Sequence, residues 1–237
     1  MFPRGWRRAL ARSNHPLADA LRVAVRAPHM VSAPVPRLVA LPLLWGFLAG
    51  RSVIHFARRV FIAEPLFRAY VTQRGKGLHT GIYVHWIDGV GDIIVGDNVI
   101  FDGQSSIRFA SRFVDRPRLL VGDGSAIAHD CQITVGKEVR IGKHCRIASE
   151  VVIADSNGHP SEPSLRLAGA PPADEDVRPV TIGDNVWIGR RAMIMPGVTI
   201  GEGSIVASGA IVMSDIPPYT VAAGNPARKV SSVAARS

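Results

Sequence analysis

The chain has 237 residues, of which 47% are apolar and 20% charged, with a net charge of +9. That is long enough for one or two domains with a core, too apolar for a disordered chain, and too poor in cysteine (two, Cys131 and Cys145) for a disulfide framework. The charge is unevenly spread: residues 1–80 hold 13 Lys+Arg against 2 Asp+Glu, while residues 81–237 hold 15 against 17. A basic segment is thus joined to a nearly neutral body, which predicts two regions with different partners.

Residues 1–26 alternate arginines with apolar residues and carry one acid, Asp19. The longest apolar run is 38–49. The 13 uncharged residues between Arg37 and Arg51 fall short of the roughly 20 needed to cross a bilayer. No signal-peptide cleavage site follows them. From Ser52 to Tyr70 the pattern turns helical. Val53, Ile54, Phe56, Ala57, Val60 and Phe61 favour one face, Arg58 and Arg59 another, and Pro65 kinks or ends the helix. Two readings stand for residues 1–80. The helices pack on the rest of the protein or a neighbouring subunit, or they lie in a membrane interface beside anionic lipid. Nucleic acid is not expected, because no binding motif accompanies the charge.

From about residue 93 an aliphatic or aromatic residue recurs every six positions. The runs are Val95, Phe101, Ile107, Phe113; Val121, Ile127, Ile133; Val135, Ile141, Ile147, Ile153; and Ile182, Ile188, Ile194, Ile200, Val206, Val212. Period six is neither helical nor a simple alternation. It predicts a triangular parallel β-helix with three short strands per coil of about 18 residues and coils about 4.8 Å apart. Residues 93–154 and 180–217 make about five and a half such coils. Breaks in phase after Phe113 and Ile133 mark bulges or small loops.

Three segments carry a resemblance. Val180-Thr-Ile-Gly-Asp-Asn-Val-Trp-Ile-Gly189, Met195-Pro-Gly-Val-Thr-Ile-Gly201 and Asp215-Ile-Pro-Pro-Tyr-Thr-Val-Ala-Ala-Gly-Asn-Pro-Ala-Arg228 are similar to the hexapeptide-repeat acyltransferases. They most resemble the sugar O-acetyltransferase branch, with galactoside, maltose and exopolysaccharide acetyltransferases. The resemblance implies a left-handed β-helix, so the expected fold is mainly β. Residues 81–230 form the acyltransferase domain, preceded by the basic, partly helical segment 1–80 and followed by a short tail, 231–237. It also implies acetyl-coenzyme A as donor, a homotrimer with sites between prisms, and a saccharide acceptor, free or lipid-linked. The setting would be polysaccharide, lipopolysaccharide or other glycan biosynthesis, in the cytoplasm or at the inner face of the membrane. The alternatives are a serine-type or other small-molecule acyltransferase, and a non-catalytic scaffold.

The repeat stops after Ile153, and a polar, proline-rich loop, 155–180, projects before it resumes. A loop this long in a solenoid is expected to carry function. Gly158-His159-Pro160 matches the family motif that carries the catalytic histidine. A sugar hydroxyl is a poor nucleophile until a base takes its proton, and histidine titrates in the right range. Cys131 and Cys145 are possible acyl-enzyme nucleophiles, but both fall inside the repeat. No His-x4-His pair of the γ-carbonic-anhydrase kind occurs, so no metal is expected.

The resemblance assigns the donor to Trp187, which aligns with a tryptophan lining the thioester tunnel, and to Gly189, Arg190, Ser208 and Met213. Many relatives have serine where Arg190 stands, so a backbone N–H between Gly189 and Arg191 is the alternative oxyanion donor. Arg228 and Lys229 are candidates for the coenzyme phosphates. For the acceptor, the candidates are Asn157 beside the histidine, and His129 and Asp130 about two loops upstream. Arg108, Arg112 and Arg116 either contact an anionic sugar or diphosphate, or form a solvated face.

Overall fold

The computed structural model describes residues 11–30, 32 and 34–233. The arginines of residues 1–10 and the last four residues of the expected tail lie outside that range. The chain divides into two compact units, Met1–Arg51 and Ser52–Ser237.

The second unit is the expected triangular parallel β-helix, with six complete coils. The first coil is β1 (Val71–Arg74), β2 (His79–Thr80) and β3 (Trp86–Asp88), and the second is β4 (Asp92–Val95), β5 (Ile100–Phe101) and β6 (Ser106–Phe109). The third coil is β7 (Arg118–Val121), β8 (Ala126–Ile127) and β9 (Gln132–Val135). The fourth is β10 (Glu138–Ile141), β11 (Arg146–Ile147) and β12 (Val152–Ala154). The fifth is β13 (Val180–Ile182), β14 (Trp187–Ile188) and β15 (Met193–Ile194), and the sixth β16 (Thr199–Ile200), β17 (Ile205–Val206) and β18 (Ile211–Val212). The first strands of all coils form sheet 1, the second strands sheet 2 and the third strands sheet 3. Two further strands, β19 (Thr220–Gly224) and β20 (Ala227–Ser232), extend sheet 2, with β20 folded back antiparallel.

The hexad residues stack as the period predicts. On sheet 2, Phe101, Ile127, Ile147, Ile188, Val206 and Ala222 are partners in register from coil to coil, all buried. Burying each large side chain contributes about 1.5–3 kcal/mol. A second inward column lies two residues before each hexad position. It takes the small residues Ser105, Ser125, Cys131, Cys145, Ala192, Ser204 and Ala210 at the narrow corners, every one of them buried. Both cysteines belong to this column.

Four expectations need correction. The β-helix begins at Val71, not near 93, and the period missed the first coil because Arg74 and Thr80 hold two of its hexad places and Ile87 follows Thr80 by seven residues instead of six. Phe113 is not an inward hexad residue: the chain leaves the ladder after Phe109 and rejoins it at Arg118. The break after Ile133 arises because Ile133 and Val135 both point inward from one strand, β9, before a two-residue link. Pro65 does not end the helical segment. Helix α2 (Arg37–Arg58) passes through a π-helical turn, Arg59–Ala63, into α3 (Glu64–Tyr70), and the wider turn directly precedes Pro65, which has no N–H to give the regular ladder.

The segment before residue 80 therefore plays two roles. Ala63 and Phe67 are buried, and the Phe67 ring lies 5.0 Å from Phe101 and 4.5 Å from His85, so α3 closes the open end of the prism. Upstream, α2 buries none of its residues. Leu38, Leu43, Trp45, Phe47, Val53, Ile54 and Phe56 are each more than half exposed. The apolar run does not stop at Arg51, because the helix continues. Arg37–Tyr70 is a helical stretch of 34 residues, long and apolar enough to cross a membrane. An earlier helix, α1 (Pro16–Met30), lies in the first unit.

Candidate active site

From the second coil on, the departures from an 18-residue coil all fall at one corner, where sheet 3 passes to sheet 1. Val95, Val121, Ile141, Ile182 and Ile200 are successive partners on sheet 1, and their spacings are 26, 20, 41 and 18 residues. Segments 110–117, 136–137 and 155–179 emerge there one above another.

Asp155 fastens the long loop at its root. Its buried carboxylate accepts N–H bonds from Gly136 (2.6 Å), Lys137 (2.6 Å) and Glu138 (2.9 Å). Its carbonyl oxygen accepts the Arg178 N–H at 2.9 Å, so both feet of the loop meet on one residue. Burial pushes the Asp155 carboxyl up from the usual range, opposed by those backbone donors. Gly136 is required at the root, since a Cβ there would stand 2.7 Å from Val177 Cγ1. Sequence reasoning missed Asp155. Its signal was an acid at the first position after a hexad strand, opposite a Gly136-Lys137 turn.

Beyond Asp155 the chain turns sharply. The Gly158 N–H donates to Ser156 Oγ at 3.1 Å, with φ +79° at Gly158. Ser156 and Pro160 are buried while His159 between them is exposed. The His159 side faces a cavity of about 580 Å³. Sheet 3 supplies Arg108 and Thr134, partners in register; segment 110–117 supplies Arg112 and Phe113; the loop supplies Asn157, His159 and Arg166.

The structure sorts the expected site residues into separate places. Asn157 lines the same cavity as His159. His129 and Asp130 do not line that cavity: they pair with each other at 3.0 Å on the corner between sheets 2 and 3. Arg116 turns away and forms a salt bridge with Asp92, holding that carboxyl below its usual range. Trp187 stands 55% exposed on sheet 2, in a second cavity with Ile100, Asp102, Ala126 and Arg146. Gly189, Arg190 and Ser208 follow it at the corner of sheets 2 and 3. The close approach there explains Gly189, because a Cβ would stand 2.5 Å from the Ser208 nitrogen. Arg228 and Lys229 lie on β20, also sheet 2, and both are exposed. Met213 directly follows β18 and belongs to the sheet 3 side, with His159. Within one chain, then, Trp187 and His159 are on different faces.

At the corner, the Arg190 guanidinium is engaged by Glu150, as is that of Arg191, and both hold the Glu150 carboxyl below its usual range. The Gly189 N–H donates to Val206 at 2.7 Å and the Arg191 N–H to Ser149 at 3.2 Å. Of the three backbone donors, only the Arg190 N–H has no acceptor among the described residues. The cysteines are unsuited to nucleophilic work. Burial pushes the Cys131 thiol up to about 11, and its S–H donates to the Ala148 carbonyl at 3.2 Å. Burial raises the Cys145 thiol as well. Among the described residues, no group of three or more His, Cys, Asp or Glu side chains is arranged to hold a metal ion.

Residues 179–213 match the family model described as bacterial transferase hexapeptide (six repeats). The galactoside O-acetyltransferase of Escherichia coli is 36% identical over 145 residues, covering 59% of this chain and 63% of that protein. A Saccharomyces cerevisiae protein provisionally named an acetyltransferase is 42% identical over 115 residues, covering 48% of this chain and 56% of that one. The chain thus spans less than two thirds of these relatives' length. Among solved structures, AntD, an N-acyltransferase from Bacillus cereus in complex with dTDP and 3-hydroxybutyryl-CoA, superimposes with a TM-score of 0.57 at 21% identity. The superposition covers 71% of this chain and 87% of that one. The winding is accordingly the left-handed β-helix expected from the sequence. Residues 179–213 thus carry the hexapeptide repeat of bacterial transferases, and the same ladder continues through the coils below them.

Proposed function

We propose that the chain is an acetyl-coenzyme A-dependent O-acetyltransferase acting on a saccharide hydroxyl in glycan biosynthesis. The observation that carries this reading is His159: exposed on a loop held at both feet, over a cavity lined by polar and basic groups. In the reaction, His159 accepts the hydroxyl proton as the sugar oxygen bonds to the thioester carbonyl carbon. The Arg190 N–H donates to the developing oxyanion. The carbon–sulfur bond then breaks, and His159 returns the proton to the departing thiolate.

Trp187, Arg228 and Lys229 lie on sheet 2, and His159 and Met213 on the sheet 3 side. A complete site therefore needs those two faces from neighbouring prisms, as in a homotrimer with three grooves. The same reading sets the enzyme at the inner face of a membrane, held by the exposed apolar face of α2 with its flanking arginines. Support for membrane contact comes from the unburied 34-residue helical stretch. Co-sedimentation of the full chain with anionic phospholipid vesicles, lost when Trp45 and Phe47 are changed to serine, is the expected outcome. Equal sedimentation of both proteins overturns the membrane part.

The catalytic part is tested with radiolabelled acetyl-coenzyme A and free, nucleotide-linked and lipid-linked sugars. His159→Ala is expected to lower transfer about 10²–10⁴-fold while leaving the unfolding midpoint in place. Near-normal turnover in that variant overturns the mechanism.

A further inference from the structure

The cavity beneath His159 is lined by three arginines, Arg108, Arg112 and Arg166, and by no carboxylate. Five other arginines of the β-helix are matched with acids: Arg116 with Asp92, Arg118 and Arg140 with Glu138, Arg190 and Arg191 with Glu150. Within the cavity no acid stands among the lining residues. Arg112 makes no side-chain hydrogen bond or ion pair among the described residues. Arg108 approaches Asp88 only at 3.9 Å, with both side chains more than 60% exposed. Arg166 spends one nitrogen on the loop itself, donating to the carbonyls of Pro160 (3.0 Å) and Ser161. That contact braces the residue next to His159 and makes Arg166 a positioning residue. Segment 110–117, which carries Arg112, is an insertion into the coil.

Three like charges converging on a concave wall repel one another unless an anion sits between them, and guanidinium groups suit the forked geometry of carboxylate and phosphate. Phe113 supplies an apolar wall beside them. We infer that the acceptor is an anionic saccharide, bearing a carboxylate or a phosphate, whose charge is bound by Arg112 and Arg108 while its hydroxyl meets His159. This inference rests on the transferase reading above and narrows its acceptor to one chemical class.

The test compares acetyl transfer by the purified full chain to glucuronate and galacturonate, to glucose 1-phosphate, and to glucose and galactose. The uronate and phosphate arms separate the two sources of charge. One anionic arm is expected to exceed its neutral counterpart at least about tenfold in kcat/KM, and Arg112→Ala to erase that ratio about tenfold or more, chiefly through KM. Arg112→Lys should restore part of the ratio, which a merely structural role would not do. A thermal unfolding scan of each variant guards against misfolding. Neutral sugars used as well as anionic ones, with transfer still dependent on His159, overturn the anionic class but leave the transferase reading intact. If no sugar is acetylated, calorimetric titration with glucuronate and glucose 1-phosphate decides: binding abolished by Arg112→Ala supports the inference, and no binding of either overturns it.

Discussion

At the corner from sheet 1 to sheet 2, every passage of the chain spends one left-handed residue: Gly77, Asn98, Gly124, His144, Asn185, Gly203 and Tyr219, all with φ between 53° and 70°. The N–H groups of Gly124, His144, Asn185 and Gly203 each donate at 2.8 Å to a carbonyl one coil below. The corner from sheet 2 to sheet 3 repeats the device with Gln104, Asp130, Glu150, Arg191 and Gly209. The third corner has no such column, and from the second coil on every insertion leaves the prism there. Closed corners tolerate many side chains because their constraint is on the backbone. The open corner tolerates many lengths because the ladders on either side hold its ends. Chemistry collects where length is free, and rigidity is supplied by the two corners where it is not.

Three substitutions sharpen that contrast. Ile188→Ala removes a fully buried side chain from the sheet 2 stack and is expected to cost about 2–5 kcal/mol, read as the urea midpoint. A cost below that of an exposed substitution would mean that the stack does not carry stability. Asp155→Ala leaves three backbone N–H groups at the loop root without their acceptor, at about 1–3 kcal/mol. Its signature is local: loop 155–179 becomes open to protease while the coils stay protected. Uniform protection in that variant would show that the loop holds itself.

The smallest effect at neutral pH, growing in acid, belongs to His85 at the closed end. Its ring packs against Phe67 and Phe101, with both nitrogens buried and no hydrogen-bond partner among the described residues. Burial lowers its pKa from the ordinary 6.5 to about 4. Between those values the unfolded chain binds the proton and the folded chain does not, so stability is complete above pH 6.5 and falls as pH drops toward 4. The loss reaches about 3 kcal/mol at most. Denaturant unfolding at pH 7, 5.5 and 4 should show this slope, and His85→Phe should flatten it. An equal slope in both proteins rules His85 out as the source.

Much of the domain was legible in one dimension. The hexad residues from Val95 to Val212 defined strands, an inward face and a stacking register, because in a parallel coil the backbone ladder turns a period directly into neighbours. The long loop and the Gly158-His159-Pro160 motif were visible as a break in that period. The first coil was not, since Arg74 and Thr80 take hexad places usually held by aliphatic residues, and neither was the column of small residues that explains both cysteines.

Only the tertiary structure decided what the departures from the period make together. Arg112 comes from one insertion and His159 and Arg166 from another, and they share a cavity with Arg108 of sheet 3 because both insertions leave the same corner of the prism, two coils apart. Trp187 and His159 are only 28 residues apart, yet they stand on different faces, and His129 and Asp130 pair with each other away from the cavity. Period determines which residues point inward. Which outward residues meet depends on where the coil closes and how far each insertion reaches, and both are set by packing across coils.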